Sequence, residues 1–275
     1  MLRSMYSGVS GMRGFQTKLD VIGNNIANVN TVGFKAGRVM FKDILSQTVA
    51  GVTRPEEGAT GGGNAKQIGL GVALATIDTV HTPGSAMMTN DQTDVRIDGD
   101  GFFAISPSQD GGETPFLTRA GNFTLDALGQ LVNGDGMFVL DSNGAPIVLD
   151  PEEVKSFSIA KDGRIISIGA DGTSTATDFQ IGIVKVVNPA GLEKIGGNLY
   201  RITPNANPEG EVAFSTAGNV EAGTGEIIAG QLEMSNVDLT SEFTEMIVSQ
   251  RGFQANSRII TTSDEVLQEV VNLKR

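Results

Sequence analysis

Few groups of residues in this chain have the types and spacing that chemistry needs. His81 is its single histidine, beside Thr79, Thr82 and a Pro83-Gly84 turn. A Ser-His-Asp relay would have to form around it, yet no G-x-S-x-G elbow occurs. A lone histidine in such a loop is expected to be solvated. Asp98-Gly99-Asp100-Gly101 resembles the start of a calcium loop, but Phe102 stands where the next oxygen ligand should be, and the sixth position is not glycine. Two Asp-Gly turns ahead of a strand account for it. Gly69-Leu70-Gly71 lacks the third glycine of a dinucleotide fingerprint, and no phosphate-binding G-x-x-x-x-G-K-[ST] run is present. The carboxylate pairs Glu56-Glu57 and Glu152-Glu153 lie in polar, loop-like sequence. With no cysteine, disulfides, thiolate catalysis and cysteine-based zinc sites are excluded. The expectation is a protein without catalytic residues, metal or cofactor, and not an enzyme.

The elements that would have positioned such groups carry more information. The chain has 275 residues, enough for one or two domains, and its 36 glycines suit many turns better than a helical bundle. A net charge of −12 argues against a nucleic-acid partner. No apolar run approaches the 18 or so residues of a membrane helix, so no membrane insertion is expected. Charge is unevenly placed. Residues 1–42 carry six Lys/Arg against Asp20 alone, a net of +5, whereas residues 238–275 carry a net of −2. Opposite charge on two helical arms can steer and register them, although exposed pairs are each worth only about 0–1 kcal/mol.

Both ends are amphipathic, with apolar residues at seven-residue spacing. The first arm carries Met5, Met12, Leu19 and Ile26, with Leu2 and Val9 on a second line and Phe15 and Ile22 at the flanks. The second carries Leu239, Phe243, Met246, Phe253, Ile260, Leu267 and Val271, with polar Gln250, Ser257 and Asp264 in the companion column. Such a repeat keeps one helical seam facing a partner helix, as in a coiled coil. Gly8, Gly11, Gly14 and Gly23 each cost the first helix about 1 kcal/mol relative to alanine, so it needs a partner to be stable. Asn236 or Asp238 could cap the second helix.

Between the arms the pattern is β. Residues 36–50 suit either a strand or a short helix, and Gly58 and Gly61-Gly62-Gly63-Asn64 read as a linker. Val95-Arg96-Ile97 and Phe102–Ile105 read as strands around a turn. Phe123–Leu125 with Gln130–Val132, and Met137–Leu140 with Pro146–Leu149, read as hairpins; Phe157–Ile159, Arg164–Ile166 and Ile181–Val187 read as further strands. Short strands with turns at such spacing predict one antiparallel β domain.

Both ends and two central segments carry a family resemblance. Ser7–Met12 with Asn24–Lys35 (NNIANVNTVGFK) resembles the N-terminal signature of bacterial flagellar rod and hook proteins, through Asn24, Asn25, Asn28, Asn30, Thr31, Gly33, Phe34 and Lys35. Ser235–Arg275 resembles the matching C-terminal signature, and residues 97–105 and 117–136 are similar to the β domain of the hook and distal rod proteins. The resemblance implies a mainly β fold with terminal α-helices. Residues 1–30 and 236–275 would pair as a coiled-coil-like inner layer around an export channel, 31–67 would link the layers, and 68–235 would form the outer antiparallel β domain. Within the family the chain is expected to be a short hook protein of the Gram-positive type, whose flexible tube transmits torque as a universal joint. The alternative is a distal rod protein forming a straight drive shaft, since longer hook proteins insert a second outer β domain. The implied partners are further copies of the chain, the distal rod protein, the hook cap and the hook–filament junction proteins. The implied location is the extracellular flagellum, the hook and basal body, reached by the flagellar type III export pathway.

Overall fold

A computed structural model of the chain describes residues 2–53, 62–109, 114–149, 154–169, 174–208 and 212–273. Glu56, Glu57, Gly58, Gly61, Glu152 and Glu153 lie outside the described residues. The chain divides into two compact units: residues 1–27, 37–79 and 238–275 form the first, and residues 28–36 and 80–237 the second.

The first unit holds the two long helices, α1 (Leu2–Ala27) and α2 (Leu239–Asn272). Asp238 is the N-cap of α2 and accepts a 2.9 Å hydrogen bond from the Thr240 amide. That satisfies one of the amides a helix start leaves orphaned. The helices run antiparallel, from the Asn25–Glu242 hydrogen bond through the Lys18–Glu245 ion pair at 3.1 Å to Gly8 beside Ile260. Beside them lie β1 (Gly37–Asp43), β2 (Ser46–Ala50), β3 (Lys66–Gly69) and β4 (Val72–Thr79). β1 pairs with β4 and β2 with β3, and a bridge from Thr53 to Gly63 continues the ladder outward. The strands β1 to β4, in a stretch expected as linker and the start of the β domain, therefore form an antiparallel ladder that clusters with the helices. The pattern of residues 36–50 left strand and helix open; backbone pairing with a distant segment resolves it as strand.

Glycines in α1 and α2 mark close approach. A Cβ on Gly11 would lie 2.8 Å from Asn256 Nδ2, one on Gly252 2.6 Å from the Phe15 ring, and one on Gly14 2.8 Å from Phe41. The glycines that weaken an isolated helix thus permit tight packing here, and the packing compensates for the lost propensity. Gly23 differs, with nothing within 4 Å.

The second unit is an antiparallel β body. Its strands are β5 (Ala86–Met88), β6 (Val95–Asp98), β7 (Phe102–Ser106), β8 (Phe116–Thr118), β9 (Thr124–Leu125), β10 (Leu131–Val132), β11 (Phe138–Val139), β12 (Val154–Ile159), β13 (Arg164–Gly169), β14 (Ser174–Gln180), β15 (Ile183–Val184), β16 (Glu193–Gly196), β17 (Leu199–Arg201), β18 (Phe214–Ser215), β19 (Glu226–Ala229) and β20 (Gln231–Glu233). The largest sheet runs β16-β17-β8-β7-β11-β10-β9, with β15 also on β7. Strand β7 is buried on both faces: Phe103 and Ile105 enter one apolar cluster, Phe102 and Ala104 another. Alternation of side chains makes a continuous apolar run the signature of such a central strand. β9 pairs with β10 as a hairpin, and Leu140 bridges Pro146 across the Asn143-Gly144 turn. β6 and β7 do not pair with each other; β6 pairs with β19, far along the chain. The strand expected over Ile181–Val187 is regular only at β15.

Replacing Gly252 by leucine is expected to destabilise the helical unit by about 1–3 kcal/mol through overpacking against Phe15. Replacing Gly23 by alanine, where there is open space, should stabilise it by about 0.5–1 kcal/mol. Thermal melts followed by helical circular dichroism will show opposite shifts if the packing is as described.

Candidate assembly interface

Apolar surface is distributed very differently in the two units. Among the described residues of the first unit, Ile22 is the one large apolar side chain that is fully buried. That unit nevertheless holds twenty of the 27 exposed large hydrophobic residues found among the described residues, from Tyr6 at 73% exposure to Leu273 at 86%. An isolated unit with so little core and so much exposed apolar surface has the character of an interface cut open.

The expected seam positions fall into two groups. Met5, Val9, Met12, Leu19 and Ile26 of α1, and Met246, Ile260 and Leu267 of α2, are half-buried. Leu239, Phe243, Phe253 and Val271 are exposed. The Leu2 side chain lies outside what is described. Small and polar residues line the actual contact: Gly8, Gly11, Gly252, Asn256 and Ser249, which is fully buried. The residues expected as an inter-helix seam are therefore only partly used within one chain.

The signature segment divides between the units. In the first, Asn24 is exposed and Asn25 is buried. The Asn25 amide donates to the Gly37 carbonyl (2.8 Å) and to Glu242 Oε1 (3.0 Å), and its Oδ1 accepts from the Gly37 amide (2.9 Å). One side chain thus ties α1, β1 and α2 together. Burial raises the Glu242 pKa above the usual carboxylate value, and the Asn25 hydrogen bond opposes that shift.

In the second unit, Thr31 donates to Asn28 Oδ1 at 3.1 Å, and Asn30 is exposed. Gly33 has φ +69°, and a Cβ there would lie 2.6 Å from the Ala120 amide nitrogen, so a side chain is excluded by both backbone and space. Its amide donates to the Glu233 carbonyl at 2.8 Å. Phe34 is buried under the Lys194 ammonium, 4.1 Å from the ring centroid.

Lys35 is also buried, at 1% exposure. Its ammonium donates to Glu233 Oε1 (2.6 Å) and to the Thr82 carbonyl (2.8 Å). The second carboxylate oxygen of Glu233 meets Arg119 Nη1 at 3.3 Å, and Arg119 Nη2 donates to the Gly99 carbonyl at 2.8 Å. The Gly84 amide also donates to Glu233 Oε1, at 3.0 Å. Burial lowers the Lys35 pKa and the Glu233 carboxylate counters it. Asn236 completes the arrangement. It accepts from the Ala36 amide (2.8 Å) and donates to the Val80 carbonyl (2.8 Å) and Thr82 Oγ1 (2.9 Å). This role in joining segments leaves the capping of α2 to Asp238.

His81 is not the solvated loop residue its neighbours suggested. It packs edge-on against Tyr200 and Phe102, at centroid distances of 5.4 and 5.7 Å. Burial first, then the positive charges of Lys35, Arg119 and Lys194, lowers its pKa to about 4. The imidazole is neutral at pH 7. Among the described residues no group of three or more His, Asp or Glu could hold a metal.

This geometry meets the comparisons with known proteins. Models of flagellar families match residues 5–35 (Flagella basal body rod protein), 96–173 (Flagellar hook protein FlgE/F/G D1 domain) and 228–273 (Flagellar basal body rod FlgEFG protein C-terminal). The chain is 57% identical over 276 residues to the flagellar basal-body rod protein FlgG of Bacillus subtilis (strain 168), spanning all of both chains. It belongs to the flagellar rod and hook protein family. Two proteins of Borreliella burgdorferi also match along their whole lengths and that of the chain: its FlgG rod protein at 39% over 280 residues and its FlgE hook protein at 30% over 451. Members of the rod and hook family are structural proteins, and this chain is one of them rather than an enzyme.

The three family matches take in α1 and the signature, part of the β body, and α2. Sequence reasoning found Lys35 within the signature but missed Glu233, Arg119, Asn236 and Glu242. A signal was available: Glu233 interrupts an apolar stretch at Leu232 and Met234, and Arg119 follows the strand residues Leu117 and Thr118. Charged residues at strand positions that should be buried imply a partner.

The cluster carries two cations and one anion, so its members are not equivalent. Replacing Glu233 by glutamine leaves Lys35 and Arg119 uncompensated and is expected to cost about 3–5 kcal/mol. Replacing Lys35 by methionine leaves a matched Arg119–Glu233 pair and should cost less. Chemical denaturation of both variants tests the order.

His81 gives a pH dependence with a definite sign. Its folded pKa lies below the ordinary 6.5, so the unfolded chain binds the proton first. The stability contributed by neutral His81 is complete above pH 6.5 and is lost as pH falls toward 4. The loss amounts to about 2–3 kcal/mol. The difference in denaturation midpoint between the native protein and His81→Gln should narrow over that range.

Proposed function

We propose that the chain is a distal rod subunit, which polymerises helically into a straight, hollow drive shaft of the flagellum. The observation that carries this reading is the end-to-end 57% identity to a rod protein. The Borreliella burgdorferi pair supports it within one organism, at 39% to the rod protein against 30% to the hook protein. The hook alignment needs 451 positions to place this chain of 275 residues, as expected if the hook protein carries added outer segments. The hook reading, with its universal joint, hook cap and hook–filament junction partners, is accordingly not the one adopted.

In the proposed shaft the paired helices form the inner layer, and the β body of residues 80–237 faces outward. The seam positions Leu239, Phe243, Phe253 and Val271, exposed in one chain, are covered by neighbouring copies. So are Met40, Ile44, Leu45 and Val49 of the β1–β4 ladder. Contacts of this kind join different surfaces of successive copies and extend without closing. The partners are further copies and, at the ends of the shaft, other axial subunits; export through the flagellar type III pathway and residence in the basal body follow from the same reading.

Electron microscopy of polymer grown from the full-length protein tests the assignment. Straight, rigid tubes are expected; curved tubes of variable bend would return the assignment to the hook. Deleting residues 1–29 should abolish polymer while the β body keeps its folded near-ultraviolet signal.

A further inference from the structure

α1 carries a groove on the side turned away from α2. Its walls are Tyr6, Val9 and Arg13 of the helix and Ile44, Leu70 and Leu74 of the β1–β4 ladder, enclosing about 410 Å3. The residues of α1 that meet α2, among them Gly8, Gly11, Phe15, Lys18 and Asn25, lie well around the helix from Tyr6, Val9 and Arg13 at 100° per residue. Arg13 forms no ion pair among the described residues, and Arg3 lies on the same helical face.

The end of α2 supplies a complementary surface. Pairing positions in the two helices sum to about 266, so the segment from Glu265 to Leu273, ~13 Å of helix, runs beyond Leu2. Its apolar stripe is bare: Val266 is 45% exposed, Val270 50% and Leu273 86%. Ile259, Val266 and Leu273 keep seven-residue spacing, a second seam one position away from Ile260 and Leu267. Asp264, Glu265 and Glu269 flank the stripe, and among the described residues none of them forms an ion pair. A continuous helix that passes along the opposite side of α1 cannot turn back into the groove of its own chain.

We propose that the groove beside Tyr6 and Arg13 receives the Val266–Val270–Leu273 stripe of a second copy, with Glu265 or Glu269 meeting Arg13. This rests on the polymer reading above and names the contact that propagates it. Each copy then offers one groove and one stripe on separate surfaces, the condition for open-ended growth.

The absence of cysteine permits a direct test in the full chain. Copies carrying Tyr6→Cys are mixed with copies carrying Val270→Cys, polymerised and oxidised. A disulfide forms only where Cα atoms come within about 7 Å. The expected result is a mixed disulfide in the polymer, at least ten-fold above a control in which Ile247→Cys replaces Val270→Cys. Polymer without that excess overturns the groove contact while leaving the polymer reading intact. Failure of the unaltered protein to polymerise overturns the polymer reading itself. Should the cysteine copies not assemble, charge reversal decides: Arg13→Glu should raise the critical concentration about ten-fold, and adding Glu269→Arg should restore it at least in part. No recovery overturns the pairing.

Discussion

The buried Lys35–Glu233–Arg119 cluster is the constraint on which the second unit depends. Desolvating three charges is costly, and the cost is offset by the hydrogen bonds and ion pairs that converge on Glu233. Glu233 alone accepts from Lys35, Arg119 and the Gly84 amide, and its carbonyl accepts from Gly33. The groups that converge here come from residues 33–35, 82–84, 119 and 233, far apart in sequence. A purely apolar contact would hold these segments together but tolerate sliding. The directional geometry of the cluster permits one register of these segments within the second unit.

The first unit is built on the opposite principle. Its helices meet through glycine, serine and asparagine, with little apolar burial, and its large hydrophobic side chains point outward. At about 25 cal/mol per Å2 of apolar area, surface left in water contributes nothing to the isolated chain and becomes stabilising only when covered. On the polymer reading, the stability of this unit is deferred to assembly. On the rod reading this is also a control device, since a lone subunit has a weak inner layer and a crowded one a strong layer.

Elements with local signals were legible in the sequence. Seven-residue columns placed both helices, Asp238 sat where a cap belongs, and turn residues placed the β9–β10 hairpin. The misjudged features were set by distant segments. Residues 37–43 became strand through pairing with 72–79, and His81 is half-buried because Phe102 and Tyr200 pack against it. The glycines of α1 were read as weak points because the lost propensity is a local quantity, whereas the fit of Phe15 against Gly252 is not. The partners of Lys35 were invisible for the same reason: an ion pair across 198 residues leaves no periodicity.

The seam columns were found as a pattern, but the partner they face was not specified by it. A seven-residue repeat states that a stripe will be covered and is silent on whether the cover comes from the same chain. α2 shows both cases along its length, near α1 and past its start. Ile260 is half-buried against Gly8 of α1, and Ile259 also reaches Gly8, whereas Val266 and Leu273, past the start of α1, are exposed. Adjacent residues of a helix point about 100° apart, so one neighbour covers the two stripes unequally, and past Leu2 α1 no longer lies beside either. On the polymer reading, the exposed Val266–Leu273 end is the part of α2 that a second copy would cover.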